Sequence, residues 1–283
     1  MELIFAAAIC SVLVSILLKI CKIKGYEPMQ MIASNYAIAS LLAYIWFKPD
    51  LTHISISHTP WWLIVILGIT LPAIFLCLAK SLQTVGILKT EIAQRLSVVL
   101  SLLAAYFLFN EQFNQLKIIG VVLGVSAVLC ILFSKKVTSN QTIGYQAVIP
   151  LLSVWIGYAL VDILLKYTTS LGLQFAVTLN LMFICAFIIS VVYLTFKKTQ
   201  WTLKNLIGGL ILGILNFANI ALYVKAHMLL KDSPAVVFAG MNILVVVLGV
   251  VAGLLIFKEK LKGLTIVGLM FAVAGVMCLA MAM

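Results

Sequence analysis

Long apolar runs alternate with short clusters of charged and turn-forming residues along nearly the whole chain. Crossing the hydrocarbon core of a bilayer takes roughly 20 apolar residues in a helix. On that measure the pattern predicts ten spans, at 3–21, 29–47, 61–80, 87–109, 115–133, 145–168, 174–196, 204–228, 234–257 and 261–282. Ser233 followed by Pro234 marks the start of the ninth: a side-chain oxygen caps the exposed amides, and proline fills the first turn, where its missing N–H costs nothing. Pro72 falls inside the third span, where it removes a backbone hydrogen bond and predicts a kink, either lining a cavity or purely structural.

Composition settles the solvent. Of 283 residues, 64% are hydrophobic and 10% charged, with a mean hydropathy of +1.22, more apolar than a soluble core can bury. The fold class is therefore an all-α integral membrane protein, multi-pass in the inner or plasma membrane. The run Leu3 to Leu18 lacks a basic leader and a small-residue cleavage site, so it reads as the first span rather than a secretion signal. The longest polar connections are 48–60, with Lys48, Asp50, His53, Ser57 and His58, and Ser134 to Thr142, and neither holds a domain.

Charge adds topology. The net +11 comes from lysines scattered between apolar runs, such as Lys135/Lys136, Lys197/Lys198 and Lys258/Lys260/Lys262, a pattern of loop charges that orient helices and not of a nucleic-acid surface. His53 and His58 have no third ligand beside them, and the six cysteines show no CxxC spacing, so neither metal nor cofactor is expected. The phosphate-binding pattern GxxxxGK[ST] of a primary pump is absent.

The strongest internal signal is a repeat. FNEQFNQLKIIGVVLGVSAVLC at Phe109 to Cys130 recurs as FKEKLKGLTIVGLMFAVAGVMC at Phe257 to Cys278, superposing Glu111 on Glu259, Gly120 on Gly268 and Cys130 on Cys278 without a gap. ILLK at Ile16 to Lys19 recurs at Ile163 to Lys166, each followed six residues later by a glycine, Gly25 and Gly172. The chain thus divides into two five-helix repeats, 1–136 and 143–283. An odd number of crossings per repeat turns the second upside down relative to the first. Lysines follow spans one, three and five in the first half (Lys22/Lys24, Lys80/Lys89, Lys135/Lys136) and spans seven and nine in the second, the parity change that inversion requires. The positive-inside rule puts these loops in the cytoplasm and both termini outside.

These halves, each ending in helix, short turn with glutamate, and Gly-rich helix, resemble the drug/metabolite transporter superfamily, EamA type, over essentially the whole chain. Lys19, Lys166 and Pro28 at the start of span two add to the likeness. The family pattern has an arginine seven residues after that proline; here the position is Asn35, so no family charge is carried over there. The resemblance implies a ten-helix fold with a central cavity lined by the first four helices of each half, the fifth and tenth being peripheral. It also implies export or uptake of small metabolites such as amino acids, by alternating access. It puts both termini in the cytoplasm, opposite to the lysine rule, and the two readings agree only that the termini share a side.

Polar groups inside the spans are the candidates for chemistry, because charge is costly in hydrocarbon. In KTEIAQRLS, Glu91 and Arg95 are four apart on one face with Gln94 beside them, a spacing for an intrahelical ion pair. Arg95 is the only arginine in the chain, and its planar fork suits a carboxylate or phosphate. The plainer reading is a solvated first turn. Asp162, with Trp155 and Tyr158 before it, is the candidate for proton coupling unless Lys166 neutralises it permanently. Asn35, Tyr36, Asn180, Asn216, Asn219, Tyr223 and Asn242 either bond neighbouring helices or face a wet cavity. His227 reads as interfacial. Glu111 and Glu259 read as turn residues near the membrane surface, and the GxxxG of Gly120/Gly124 reads as helix packing, so a monomer is favoured over a homodimer.

Together these features predict a secondary transporter, with a small molecule and the bilayer as its partners and no nucleic acid. The alternatives are a flippase-like lipid handler and an integral-membrane enzyme, the last opposed by the dispersed acids.

Overall fold

The computed structural model describes residues 2–52, 54, 59–109, 113–133, 145–230, 232–261 and 263–282. The loop residues His53, Ser57 and His58, the turn residue Glu111, the linker with Lys135 and Lys136, and Lys262 lie outside them. In chain order the helices are α1 (Glu2–Ile23), α2 (Pro28–Phe47), α3 (Trp61–Thr84), α4 (Ile87–Arg95), α5 (Ser97–Phe109), α6 (Gln115–Leu132), α7 (Tyr145–Ser170), α8 (Phe175–Phe196), α9 (Leu203–Leu229), α10 (Pro234–Leu255) and α11 (Gly263–Met281). No strand occurs among the described residues.

Among those residues nine helices are long and apolar enough to cross a membrane, with α4 and α5 counted as one crossing. The remaining long helix, α2, has 20 residues but carries Gln30, Asn35 and Tyr36 in its first half, which lower its apolarity. Those three side chains are fully buried against protein, so α2 is held by its neighbours more than by lipid. Exposed Phe107, Phe196, Met270 and Leu255 face outward as bilayer-facing side chains do. Exposed Trp46, Trp61 and Trp62 at one set of helix ends and Trp201 at another sit where amphipathic rings meet the headgroups.

The helices pair in a pattern that survives exchanging α1–α6 with α7–α11. Under that exchange α1 against α9 becomes α7 against α3, α2 against α9 becomes α8 against α3, and α1 against α10 becomes α7 against α5; α2–α8 and α6–α11 map onto themselves. Small residues permit these approaches. On α9, a Cβ at Gly209 would overlap the Met31 carbonyl of α2, and one at Gly213 would stand 2.8 Å from the Asn35 carbonyl oxygen. Gly120 and Gly275 bring α6 and α11 together, so the GxxxG glycine is used within the chain.

Two expectations change. Span four is broken at Leu96, whose N–H reaches back to the Ile92 and Gln94 carbonyls before α5 restarts at Ser97. Ser233 does occupy the N-cap of α10 with Pro234 in its first turn, but its side chain makes no capping bond: its backbone ψ of 55° is not the extended one from which a cap hydroxyl reaches the helix amides.

A polar network ties the start of α2 to the start of α9. Gln30 donates from Nε2 to the Gln200 carbonyl at 2.7 Å and accepts at Oε1 from Asn205 Nδ2 at 2.9 Å, while Asn205 Oδ1 accepts from the Glu27 N–H at 3.1 Å. Gln30→Leu strands these buried groups, and the expected loss is about 2 kcal/mol or more, read from the thermal melt of the detergent-solubilised protein. A melt equal to wild type would show that water replaces the amide there.

Candidate functional site

The break at Leu96 places a charge in mid-membrane. Arg95 is in the last turn of α4, where the negative end of the helix dipole favours a cation. The Leu96 carbonyl accepts the Val99 N–H at 3.1 Å and also Trp155 Nε1 of α7 at 2.9 Å, and the Ser97 hydroxyl donates to the Gln94 carbonyl at 2.7 Å. Arg95 lies near Glu91. Its Nη2 donates to Ser11 Oγ of α1, and no ion pair closes between the two.

Around Arg95 lies a cavity of about 770 Å³, reached by α1, α2, α3, the α4–α5 break, α7, α8, α9 and α10. Most of its wall is apolar, and α3 and α8 give it Leu71, Phe75 and Leu78 with Leu179, Met182 and Phe183. Tyr36 stacks there, with ring centroids 5.9 Å from Phe75 and 5.8 Å from Phe183. Polar side chains line it as well: Ser11 and Ser15, Gln94 and Arg95, Tyr158 and Asp162, Asn216, Asn219, Tyr223 and Asn242. Towards one membrane face the wall ends at Phe175, His227 and Met228, where α8 begins and α9 finishes. Met228 at this rim is 62% exposed.

Several polar atoms are held without a protein partner. Among buried side-chain atoms, Tyr36 Oη, Gln94 Oε1, Arg95 Nε, Asn219 Oδ1 and Asn35 Nδ2 have none. Four of these five residues line the cavity. Unmatched donors and acceptors facing one space are what a ligand with both kinds of group would satisfy. Asp162 is exposed to the cavity and accepts from Ser101 Oγ of α5 at 3.2 Å. Its cavity-side neighbours Arg95, Tyr158 and Tyr223 interact with it electrostatically.

Of the residues singled out in the sequence, Tyr36, Gln94, Arg95, Tyr158, Asp162, Asn216, Asn219, Tyr223 and Asn242 are brought to this one wall, and four stand behind it. Asn180 Nδ2 donates to the Ser40 carbonyl at 2.9 Å, bonding α8 to α2. Trp155 braces the helix break. Asn35 accepts from Asn216 Nδ2 at 3.2 Å and orients it. Glu91 is 1% exposed between α4 and α10, packed against Gly249, with Arg95 and the Ser15 hydroxyl near it but no bond of hydrogen-bond geometry to either oxygen. The pattern did not single out Ser11, Ser15 or the Phe75–Phe183 wall, nor did it put His227 at the cavity mouth.

Among the described residues, a multi-pass bundle of helices around a mostly apolar cavity that carries a set of polar side chains is the architecture of a carrier. The EamA-like transporter family matches over residues 2–133. An uncharacterized protein of Haemophilus influenzae (strain ATCC 51907 / DSM 11121 / KW20 / Rd) is 39% identical over 98% of this chain and 97% of its own length. A protein crystal structure superposes with a TM-score of 0.58 over 96% of this chain and 97% of its own, at 15% identity, a likeness of fold alone. An EamA-like transporter family domain thus spans residues 2–133.

Proposed function

We propose that the protein is a secondary transporter, not an enzyme, working as a monomer in the inner or plasma membrane and moving a small amphipathic metabolite such as an amino acid. The substrate sits between two inverted five-helix halves, 1–136 and 143–283, that expose it alternately to the two faces; the helix pairing that survives exchange of the halves supports this division. The observation that carries the reading is Arg95, held at a broken helix in a cavity that aromatic side chains also line. A carboxylate meets the guanidinium fork, and an apolar group meets Phe75 and Phe183. A thermal-shift screen of the purified protein against amino acids, purines and sugars, followed by uptake into proteoliposomes, tests it. Stabilisation by no compound with a carboxylate would overturn the Arg95 assignment.

Asp162 is the proposed coupling group. It faces the cavity and draws its hydrogen bond from a neutral serine. Asp162→Asn is expected to abolish the pH dependence of uptake while leaving expression and the melt unchanged; a pH profile identical to wild type removes the residue from coupling.

Lipid handling is the second reading, favoured by a smaller pocket of about 250 Å³ between α5 and α7 that shares Val98 and Asp162 with the main cavity. Including short-chain phospholipids in the same screen separates the two readings.

A further inference from the structure

The geometry points to Lys19 and Glu259 as the gate that shuts the cavity on the membrane face opposite its mouth. The inference rests on the transporter reading, and it concerns residues that touch no substrate. Glu259, which the sequence placed at a surface turn, folds inward past the end of α10. Its Oε1 receives Lys19 Nζ of α1 at 2.6 Å, and both side chains are nearly buried, 11% exposed for Lys19 and 8% for Glu259. The same carboxylate sits on the start of α4, accepting the Ile87 N–H at 2.8 Å and the Leu88 N–H at 3.3 Å. Lys19 Nζ also lies 4.0 Å from the centre of the Phe257 ring. One ion pair thus fastens α1, the exit of α10 and the entry of α4, joining residues 240 positions apart in the chain.

The position of this fastening gives it the role. On α1 the cavity is lined by Ser11, Val14 and Ser15, and Lys19 is the next turn. On α4 and α10 the lining residues Arg95 and Asn242 likewise lie on the far side from Ile87 and Glu259. Around the ion pair, Leu18 precedes Lys19 and Ile87 gives its N–H to Glu259; both, with Leu82 in the last turn of α3, are 2% exposed or less. On this reading an apolar plug backed by a buried ion pair closes this end, and the other, where the lining residue Met228 is 62% exposed, is the mouth. Alternating access requires the closed end to part, and parting separates α1 from α10, which breaks this pair.

The backbone around it is shaped for the carboxylate. Gly86 has φ +94°, and a Cβ there would lie within 2.7 Å of Glu259 Cδ and both its oxygens. Gly253 leaves 3.1 Å to Oε2 and accepts the Glu259 N–H at its carbonyl at 2.8 Å. A lysine and a glutamate meeting by chance need neither glycine. A carboxylate that caps a helix start and holds a cation at once is a charge fully matched from two sides, which is what a gate needs to be stable when closed and costly to leave half open.

The test uses the native Cys21, 5% exposed on α1 just past Lys19. Its rate of modification by a charged maleimide is followed by peptide-resolved mass spectrometry in detergent micelles, with no substrate required. Glu259→Gln, Lys19→Met and Gly86→Ala are each expected to raise Cys21 modification about tenfold or more, since losing one partner of a buried pair shifts the closed–open balance by at least that much. Cys185 and Cys278, away from this end, are expected to keep their wild-type rates. The charge swap Lys19→Glu with Glu259→Lys is expected not to restore the slow rate, because a lysine at 259 would face the helix amides. Unchanged Cys21 rates in the folded variants overturn the gate. So does a uniform rise at all the cysteines, which would make the pair a general structural contact. Because the readout needs no ligand, it can fail while the substrate screen succeeds, and the reverse.

Discussion

Replacing Arg95 with methionine is expected to weaken binding of a carboxylate-bearing ligand by about 100-fold or more, since removing one partner of a desolvated charged contact costs roughly 3 kcal/mol. The geometry behind the number is the free Nε, which no protein acceptor meets, on a side chain whose Nη2 is steadied by Ser11. Arg95→Lys keeps the charge but loses the fork, so a carboxylic acid is expected to weaken while its amide or ester analogue is spared. The same substitution tests the neighbourhood. Without Arg95 the buried Glu91 has lost the guanidinium beside it, so Arg95→Met is also expected to melt earlier, and adding Glu91→Gln is expected to recover part of that loss. Isothermal titration with the acid identified in the screen, set beside the melts of both variants, reads the two effects separately. Equal affinity for acid and ester in wild type would sink the carboxylate assignment, and failure of Glu91→Gln to recover stability would show that Glu91 is balanced from elsewhere.

Hydropathy made the membrane fold legible because the bilayer demands one thing of every span, length in apolar residues, and the sequence states it directly. Inside that frame the legible site residues were the misplaced polar ones. Arg95, Asp162, Asn216 and Asn219 stand out against hydrocarbon-rich neighbours, and the structure brings them to one wall. Amides at Asn35 and Asn180 carry the same signal but bond neighbouring helices, and nothing in one sequence tells a bonded amide from one facing a cavity. The aromatic wall was invisible for the opposite reason: Phe75 facing a cavity and Phe107 facing lipid are equally apolar residues on equally apolar helices. Ser11 and Ser15 read as ordinary small packing residues. The break at Leu96 has neither glycine nor proline to announce it, and it is stabilised from another helix by the Trp155 indole, a contact 59 residues away in the chain. Glu259 was legible as a repeat marker, yet its inward turn depends on Gly86 and Lys19, which meet it only in the folded protein.

The second large effect falls on stability. Gly209→Val is expected to cost about 3 kcal/mol or more, because the added Cβ would overlap the Met31 carbonyl and the Ser34 Cβ and stand 2.8 Å from Met31 Cα, atoms fixed to the α2 backbone that cannot yield as the tip of a flexible side chain would. In a bilayer the loss is not repaid by burial, since lipid tails are as apolar as valine. Helices hold each other there by close approach and by polar bonds. Prising α9 from α2 also pulls Asn216 off Asn35 and strains the Gln30–Asn205 network, so the variant is expected to lose the melt and ligand binding together. Gly263→Ala is the matching control: a Cβ there meets nothing within 4 Å, and its melt is expected to equal wild type. If Gly209→Val melted with that control, the α2–α9 contact would be loose enough to slide, and α2 would belong to the moving part of the carrier instead of its fixed frame.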